Sequence, residues 1–149
     1  MAEHHFHLKA TWQGGLQGEG QISVGNLQSE VSVPLVMNGP GVGTNPDEML
    51  VGAAATCYLI TLASVLENRK LMVSELTLES EGIVIMEGHK PRFHRIIHRP
   101  VIVLAHESSE EQLRDVAVLA ERAEKACMIS KAIRGNVEVS VEANVVVRV

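Results

Sequence analysis

A stretch of eighteen residues without a charged side chain, from Met49 to Leu66, constrains the fold of this chain more than any other feature. Just before it, Asn45 is a favourable N-cap, and Pro46 suits the first position of a helix. The acidic pair Asp47–Glu48 then complements the positive end of the helix dipole. The pattern therefore predicts a long helix that lacks a polar face, and such a helix has to be covered on every side.

The same stretch also reaches the lower length limit of a membrane span. Its composition favours a different interpretation, because many of its residues are small or carry a hydroxyl group, such as Gly52, Ala53 and Thr56. We therefore interpret it as the buried central helix of a globular fold, and we expect no membrane partner.

Alternating apolar and polar residues predict strands on both sides of this helix. The predicted strands cover residues 6–12, 21–24, 31–35, 76–86, 93–105 and 137–147. A second, amphipathic helix is predicted from Leu113 to Cys127. The order βββ-α-ββ-α-β indicates an α+β fold in a single domain, residues 1–149. One small antiparallel sheet covers only one side of the central helix, so a second sheet or a partner chain is implied.

Charge and composition exclude several classes of function. Lys and Arg together number 13, against 18 Asp and Glu, and aromatic residues make up only 3% of the chain. A nucleic-acid-binding protein normally has a basic surface and aromatic stacking platforms, so we expect no nucleic-acid partner. The first residues do not combine a basic segment with an apolar one, so no secretory signal is predicted. With two cysteines in the chain, this favours a reducing, cytoplasmic location.

Cys57 and Cys127 are the main candidates for chemistry. Each lies on the apolar side of a predicted helix, so two helices packed side by side could bring the thiols together. A peroxide-reducing site needs this arrangement, because one thiolate becomes a sulfenic acid and a second thiol condenses with it to a disulfide. The attacking thiol also needs a lowered pKa, and no residue next to Cys57 supplies a cation. The alternative is that both cysteines are buried and unreactive.

Three other features are weaker candidates. His4, His5 and His7 have no cysteines or carboxylate cluster at metal-ligand spacing, so a solvated edge strand is the preferred interpretation and no metal is expected. The cationic segment 93–100 could line an anionic pocket or form a solvated strand face. The glycine-rich loop 39–43 lacks the lysine of a P-loop and the GxGxxG spacing, so it is interpreted as a tight lead-in to the helix.

Two long motifs around the cysteines resemble those of the OsmC/Ohr family. Residues 43–57, GTNPDEMLVGAAATC, are similar to its first cysteine motif, which has an Asn-Pro-acid-acid start and an alanine-rich approach to the cysteine. Residues 123–137, AEKACMISKAIRGNV, are similar to its second motif, which a closing strand follows. The order of predicted elements matches as well, so the resemblance covers nearly the whole chain.

The resemblance implies an intertwined homodimer in which antiparallel sheets from both chains wrap two long helices. It implies thiol-dependent reduction of small organic hydroperoxides in defence against oxidative stress, with Cys57 as the peroxidatic cysteine and Cys127 as the resolving cysteine. The family's site also includes an acidic residue ten positions before the first cysteine, which corresponds to Asp47, with Glu48 next to it. The reductant would be a dithiol or a lipoyl-bearing protein, and no metal, haem or flavin cofactor is implied.

One departure from the family concerns the cation. The family's arginine comes from the region before the first motif, but this chain has no Arg or Lys between Lys9 and Arg69, and Met37 falls near the expected position. The cations that could substitute for it are Arg95, Arg99, Lys131 and Arg134. The missing arginine leaves open a non-catalytic stress or ligand-binding protein of the same fold, or a redox sensor that forms a disulfide without turnover.

A second departure concerns the residue after the resolving cysteine. Met128 replaces the proline that is common there in the family. Without a proline to interrupt it, the second helix is expected to continue through Cys127.

Overall fold

The computed structural model describes residues 1–149 and divides them into two compact units, Met1–Met49 and Leu50–Val149. The elements, in chain order, are β1 Leu8–Gln13, β2 Glu19–Val24, β3 Leu27–Ser32, α1 Pro46–Asn68, β4 Val73–Glu87, β5 Lys90–Leu104, α2 Glu110–Ala126, α3 Met128–Ile133, β6 Glu138–Val141 and β7 Asn144–Val147. The predicted order of strands and helices is confirmed, except that the second helix and the closing strand are each divided in two. That the chain forms a single domain stays a prediction.

The first unit contains an antiparallel sheet in the order β1-β2-β3. Gly25, with φ of 56°, allows the two-residue turn that joins β2 to β3. β3 ends at Ser32, earlier than predicted, because Pro34 has no backbone N–H to offer a sheet. Residues Leu35–Met37 form a short 3₁₀ turn instead. All six residues of β1 are exposed in the single chain.

Helix α1 begins at Pro46, as the sequence predicts, and its first turn is capped by Asn45, whose Oδ1 accepts a hydrogen bond from the Glu48 N–H at 2.9 Å. One face of the helix is buried, with Ala54, Tyr58, Leu62 and Leu66 at its centre. The opposite face is exposed in the single chain and carries Ala53, Thr56, Ile60, Ala63 and Ser64. A single chain therefore covers only one side of this uncharged helix.

By length and composition alone, α1 would also be able to cross a membrane. The core helix of a soluble protein meets the same criterion, so this property does not distinguish the two cases.

The second unit contains a sheet built on the long antiparallel hairpin of β4 and β5. β6 pairs with residues 95–98 of β5, and β7 pairs with residues 101–104, both in parallel. The closing strand runs parallel because the chain returns through α2 and α3 before rejoining β5. The sheet is therefore mixed, a feature that the expectation of antiparallel sheets did not include.

Gly82, on β4, marks a close approach of backbone to side chains in this unit. A Cβ atom at Gly82 would overlap Val51 Cγ2 of α1 and would lie 2.9 Å from Phe93 Cζ. The absence of a side chain at this position therefore lets the beginning of α1 pack directly on the sheet.

The second predicted helix is interrupted, so the expectation that it continues through Cys127 is wrong. α2 begins after a capping box formed by Ser109 and Gln112 and ends at Ala126. Cys127 adopts an extended conformation, with φ −63° and ψ 124°, and α3 restarts at Met128 without a proline. Tertiary packing outweighs helix propensity here, because the side chains of Cys127 and Ser130 are both buried at the break.

The core of the second unit lies between α1, α2 and β5. Tyr58, Leu62 and Leu66 of α1 pack with Ile102 and Leu104 of β5. From α2, the contributing residues are Val116, Leu119, Ala120 and Ala123. The small alanines allow α2 to approach the Tyr58 ring, and the Tyr58 hydroxyl donates a hydrogen bond to the Ala120 carbonyl oxygen at 2.9 Å.

His98 on β5 is a fully buried imidazole within this core. Its ring stacks on the Tyr58 ring, with centroids 4.6 Å apart and an interplanar angle of 6°. Nδ1 lies 2.7 Å from Ser80 Oγ, whereas Nε2 has no hydrogen-bond partner. Burial lowers the pKa of His98 to about 4, so the imidazole is neutral at physiological pH.

We expect His98 to make the protein sensitive to acid. The unfolded chain binds a proton near pH 6.5 and the folded chain only near pH 4. The neutral imidazole therefore makes its full contribution to the free energy of unfolding above pH 6.5. As pH falls toward 4, the free energy of unfolding decreases by about 1.4 kcal/mol per pH unit. Chemical denaturation between pH 7 and 4.5 measures this slope.

A His98→Gln variant keeps a hydrogen-bonding group near Ser80 but cannot titrate in this range. We expect its free energy of unfolding to depend less steeply on pH than that of the wild type, whatever its absolute stability, because the His98 contribution is missing. His89→Gln, at an exposed position in the β4–β5 turn, is the control and should retain the slope. Equal slopes in wild type and His98→Gln would contradict the assignment.

Candidate functional site

The two cysteines meet where α1 passes the break between α2 and α3. Cys57, on α1, is partly exposed, whereas Cys127 is fully buried. Both belong to the same apolar cluster, and their thiols are hydrogen-bonded to each other. The prediction that two helices bring the thiols together is therefore supported by the geometry.

Hydrogen bonds to its sulfur favour the thiolate form of Cys57. Burial raises the pKa of its thiol, but hydrogen bonds to the sulfur outweigh this effect and hold the pKa below its usual value. The strongest comes from the Cys127 thiol, followed by the backbone N–H groups of Ile129 and Met128. The Thr61 hydroxyl contributes least, which agrees with its own hydrogen bond to the Cys57 carbonyl oxygen at 2.8 Å. Cys57 is therefore the better nucleophile of the pair.

Cys127 is shifted in the opposite direction. Burial and the hydrogen bond to Cys57 raise the pKa of its thiol, and the backbone and side chain of Ser130 only partly oppose them. Cys57 is therefore the more acidic of the two thiols. The pair has the asymmetry that a nucleophile and a later, resolving thiol require.

The predicted acidic residues lie at the beginning of α1. Asp47 and Glu48 occupy its first turn, ten and nine residues before Cys57. Ten residues of a straight helix span about 15 Å, so neither carboxylate reaches the Cys57 sulfur along α1. The Glu48 carboxylate accepts a hydrogen bond from the Thr44 hydroxyl at 3.1 Å. A catalytic role for Asp47 and Glu48 stays a prediction.

None of the four substitute cations is among the groups that lower the pKa of Cys57. Arg99 is held by Glu142 at 3.0 Å and by Glu81 at 3.1 Å. Arg134 is paired with Glu124 at 3.2 Å. The pKa of Cys57 is therefore lowered by neutral hydrogen-bond donors.

Sequence reasoning missed the donors that replace the cation. The N–H groups of Met128 and Ile129 become available only because α3 restarts after Cys127, which leaves its first amides without helical partners. Backbone donors leave no trace in residue identity. Of the residues around the thiols, only Ser130 could have been noticed in the sequence, because it is the sole hydroxyl residue between Cys127 and Gly135.

The chain offers no cluster of three His, Cys, Asp or Glu side chains that could hold a metal ion. His4, His5 and His7 are exposed residues before β1, and the nearest charged partner is Glu3, 3.5 Å from His5.

Comparison with known sequences places the chain among OsmC-like proteins. A family model described as OsmC-like protein matches residues 39–142. YmaD of Bacillus subtilis, an uncharacterized protein, is 51% identical over 145 residues, which is 97% of this chain and 97% of YmaD. An organic hydroperoxide resistance protein of Xanthomonas axonopodis pv. citri is 28% identical over 134 residues, covering 88% of this chain and 89% of that protein.

Solved structures share the fold. An OsmC-like protein of unknown function from Vibrio cholerae matches with a TM-score of 0.78 at 18% identity, covering 95% of this chain and 99% of the other. The organic hydroperoxide resistance protein OhrB of Bacillus subtilis matches with a TM-score of 0.64 at 24% identity, covering 93% and 98%. The predicted OsmC/Ohr-like α+β fold class is confirmed.

We expect Cys127→Ala to raise the pKa of Cys57, because it removes the strongest donor to the sulfur. The loss of a hydrogen bond to the charged sulfur predicts a midpoint at higher pH. The pH dependence of iodoacetamide alkylation at Cys57, followed by peptide mass spectrometry, measures it. Cys127→Ser keeps a donor and is the matched control. The assignment fails when the alanine and serine variants have the same midpoint.

Proposed function

The chain belongs to the OsmC-like protein family, and on this basis we propose that it is a thiol peroxidase that reduces organic hydroperoxides. Relatives at 27–28% identity include proteins named for organic hydroperoxide resistance. The observation that carries the proposal is the hydrogen-bonded pair of thiols with opposite pKa shifts. Family membership supports a role in oxidative stress, and the thiol pair supports this particular chemistry.

In the oxidative step, the Cys57 thiolate attacks the terminal oxygen of a hydroperoxide. The O–O bond breaks, the alkoxide leaves and takes up a proton as the alcohol, and Cys57 becomes a sulfenic acid. Cys57 suits this step because it is partly exposed and its pKa is lowered. A small organic hydroperoxide is the proposed substrate.

In the resolving step, the Cys127 sulfur attacks the sulfenic sulfur of Cys57. A disulfide forms and water leaves, which takes the sulfenic oxygen and the thiol proton. The existing hydrogen bond between the thiols places Cys127 within reach. The buried Cys127 thiol keeps its proton and is sheltered from direct attack by peroxide until Cys57 is oxidised.

A dithiol, free or in a lipoyl group, is the proposed reductant that returns the disulfide to two thiols. It supplies two electrons and two protons and leaves as a cyclic disulfide. Both half-reactions use only sulfur chemistry, so the proposed cycle has no step for a metal, haem or flavin.

A second candidate is a non-catalytic or redox-sensing protein of the same fold. The observation that favours it is that only neutral donors lower the pKa of Cys57, while Arg99 and Arg134 are occupied by carboxylates. A sensor would form the Cys57–Cys127 disulfide slowly and would not cycle when dithiol is added. Catalytic turnover in the presence of dithiol distinguishes a thiol peroxidase from a non-catalytic or redox-sensing protein.

We expect purified reduced protein to consume cumene hydroperoxide catalytically in the presence of dithiothreitol. Cys57→Ser should lower the rate about a hundredfold or more, because it removes the nucleophile. Without dithiothreitol, Cys127→Ser, the matched control, should still consume about one equivalent of hydroperoxide as Cys57 is oxidised to the sulfenic acid. Residual hydroperoxide, measured by ferrous oxidation, follows the reaction. Full activity in Cys57→Ser would exclude the proposed mechanism.

We also propose that the protein is a homodimer in which a second copy covers α1. Ala53, Thr56, Ile60, Ala63 and Ser64 form an exposed face that has no charge, and Ile60 is 71% exposed. Leu8 and Trp12 on β1 are exposed as well. An exposed helix face without charge is typical of an interface.

Ile60→Asp is expected to weaken the dimer about tenfold or more, because it places a charge in the centre of the covered face. Sedimentation velocity over a concentration series measures the dissociation constant. Val118→Asp, on an exposed apolar position of α2, is the control and should remain dimeric. A monomeric wild-type protein at all concentrations would contradict the proposal.

A further inference from the structure

Ser130 is a buried hydroxyl residue beside the thiol pair to which the proposed cycle assigns no task. It lies in the first turn of α3, three residues after Cys127, which places the two side chains on the same side of the turn. The residue is only 1% exposed, and its hydroxyl has no hydrogen-bond partner in the reduced protein. Buried hydroxyl groups without a partner are uncommon. The hydroxyl is therefore placed to form its hydrogen bond in a different state of the site.

The neighbouring group that changes between states is Cys127, which can become a thiolate. The Ser130 hydroxyl and its backbone N–H both act on the Cys127 sulfur and favour its thiolate form. In the reduced protein, burial and the hydrogen bond to Cys57 keep Cys127 protonated. A neutral thiol is a weak acceptor, so the hydroxyl makes no close hydrogen bond until Cys127 carries charge.

Exposure determines which sulfur of an oxidised pair a reductant reaches. Cys57 is partly exposed, whereas Cys127 has no exposed surface. A dithiol in solution therefore attacks Cys57, and Cys127 is the leaving group. The rate of thiol–disulfide exchange depends on how well the leaving thiolate is stabilised.

We propose that Ser130 is a positioning residue that receives Cys127 as the leaving thiolate when the Cys57–Cys127 disulfide is reduced. This role rests on the proposed thiol peroxidase function. The Ser130 hydroxyl donates to the Cys127 sulfur as the S–S bond breaks, so the charge develops in front of a donor that is already in place.

Reduction proceeds by two successive displacements at sulfur. The first thiolate of the dithiol bonds to Cys57 Sγ, and the electron pair of the Cys57–Cys127 bond moves to Cys127 Sγ. The second thiol of the reductant then attacks the reductant's own sulfur in the mixed disulfide and releases Cys57 as a thiolate. Its proton is taken up at Cys127, and the reductant leaves as a cyclic disulfide. Ser130 is neither oxidised nor reduced.

The two half-reactions of Ser130→Ala test this proposal. The oxidised protein is prepared with diamide, and its reduction by dithiothreitol is followed by rapid quenching and thiol counting. We expect this step to slow about tenfold, the effect of losing one hydrogen bond to a charged sulfur. Oxidation of the reduced protein by cumene hydroperoxide should change by less than about twofold, since Cys57 keeps its own donors.

A titration of Cys127 alone provides a readout that a purely structural role would not change. In a Cys57→Ser background, thiolate absorbance gives the pKa of Cys127, and Ser130→Ala should raise it. Ser130→Thr restores the hydroxyl and should restore both the pKa and the reductive rate. Ser74→Ala, at an exposed position on β4, is the control and should leave both unchanged.

Equal reductive rates in wild type and Ser130→Ala would overturn the proposal. So would a parallel loss of both half-reactions, or a threonine variant that is as slow as alanine. Diamide forms the disulfide without hydroperoxide. If the wild-type protein does not react with cumene hydroperoxide, only the proposed peroxidase function is excluded. The reductive comparison then still decides the role of Ser130.

Discussion

The uncharged helix α1 is the constraint on which the rest of the structure depends. Because it has no polar face, its position is set by what can be packed against it. Tyr58 and Leu62 face β5 and α2, and the alanines of α2 let the two helices come close. Cys57 immediately precedes Tyr58, so the packing that buries the tyrosine also brings the thiol to the end of α2. The site is a consequence of how the core is filled.

Tyr58 and His98 hold this arrangement at a cost. The Tyr58 hydroxyl ties α1 to the Ala120 carbonyl of α2, and the His98 ring supports the other side of the tyrosine from β5. The cost is an Nε2 atom without a partner and an imidazole that has to remain neutral. Cys127 lies seven residues after Ala120, about two helical turns, so this contact also fixes the break where the second thiol sits.

The order of elements, the beginning of α1 and the importance of both cysteines follow from the sequence, because apolar periodicity, capping residues and motif spacing are local signals. The break at Cys127 does not follow from it. Met128 is compatible with a continuous helix, and only the burial of Cys127 and Ser130 decides against one. The donors to Cys57 were missed for the same reason, since backbone N–H groups of Met128 and Ile129 become available only at that break. Parallel pairing of the closing strand likewise depends on where α2 returns the chain.

The hydrogen bond between the thiols explains how the pair is asymmetric without an arginine beside it. A guanidinium group would lower the pKa of both thiols, whereas a hydrogen bond between the thiols lowers one pKa and raises the other. The two sulfurs then share a proton and titrate as a pair. The pKa of Cys57 is the lower one because its sulfur also accepts hydrogen bonds from the amides of Met128 and Ile129, while Cys127 is deeper in the core. Burial and backbone direction, more than any cation, therefore make the two thiols chemically unequal.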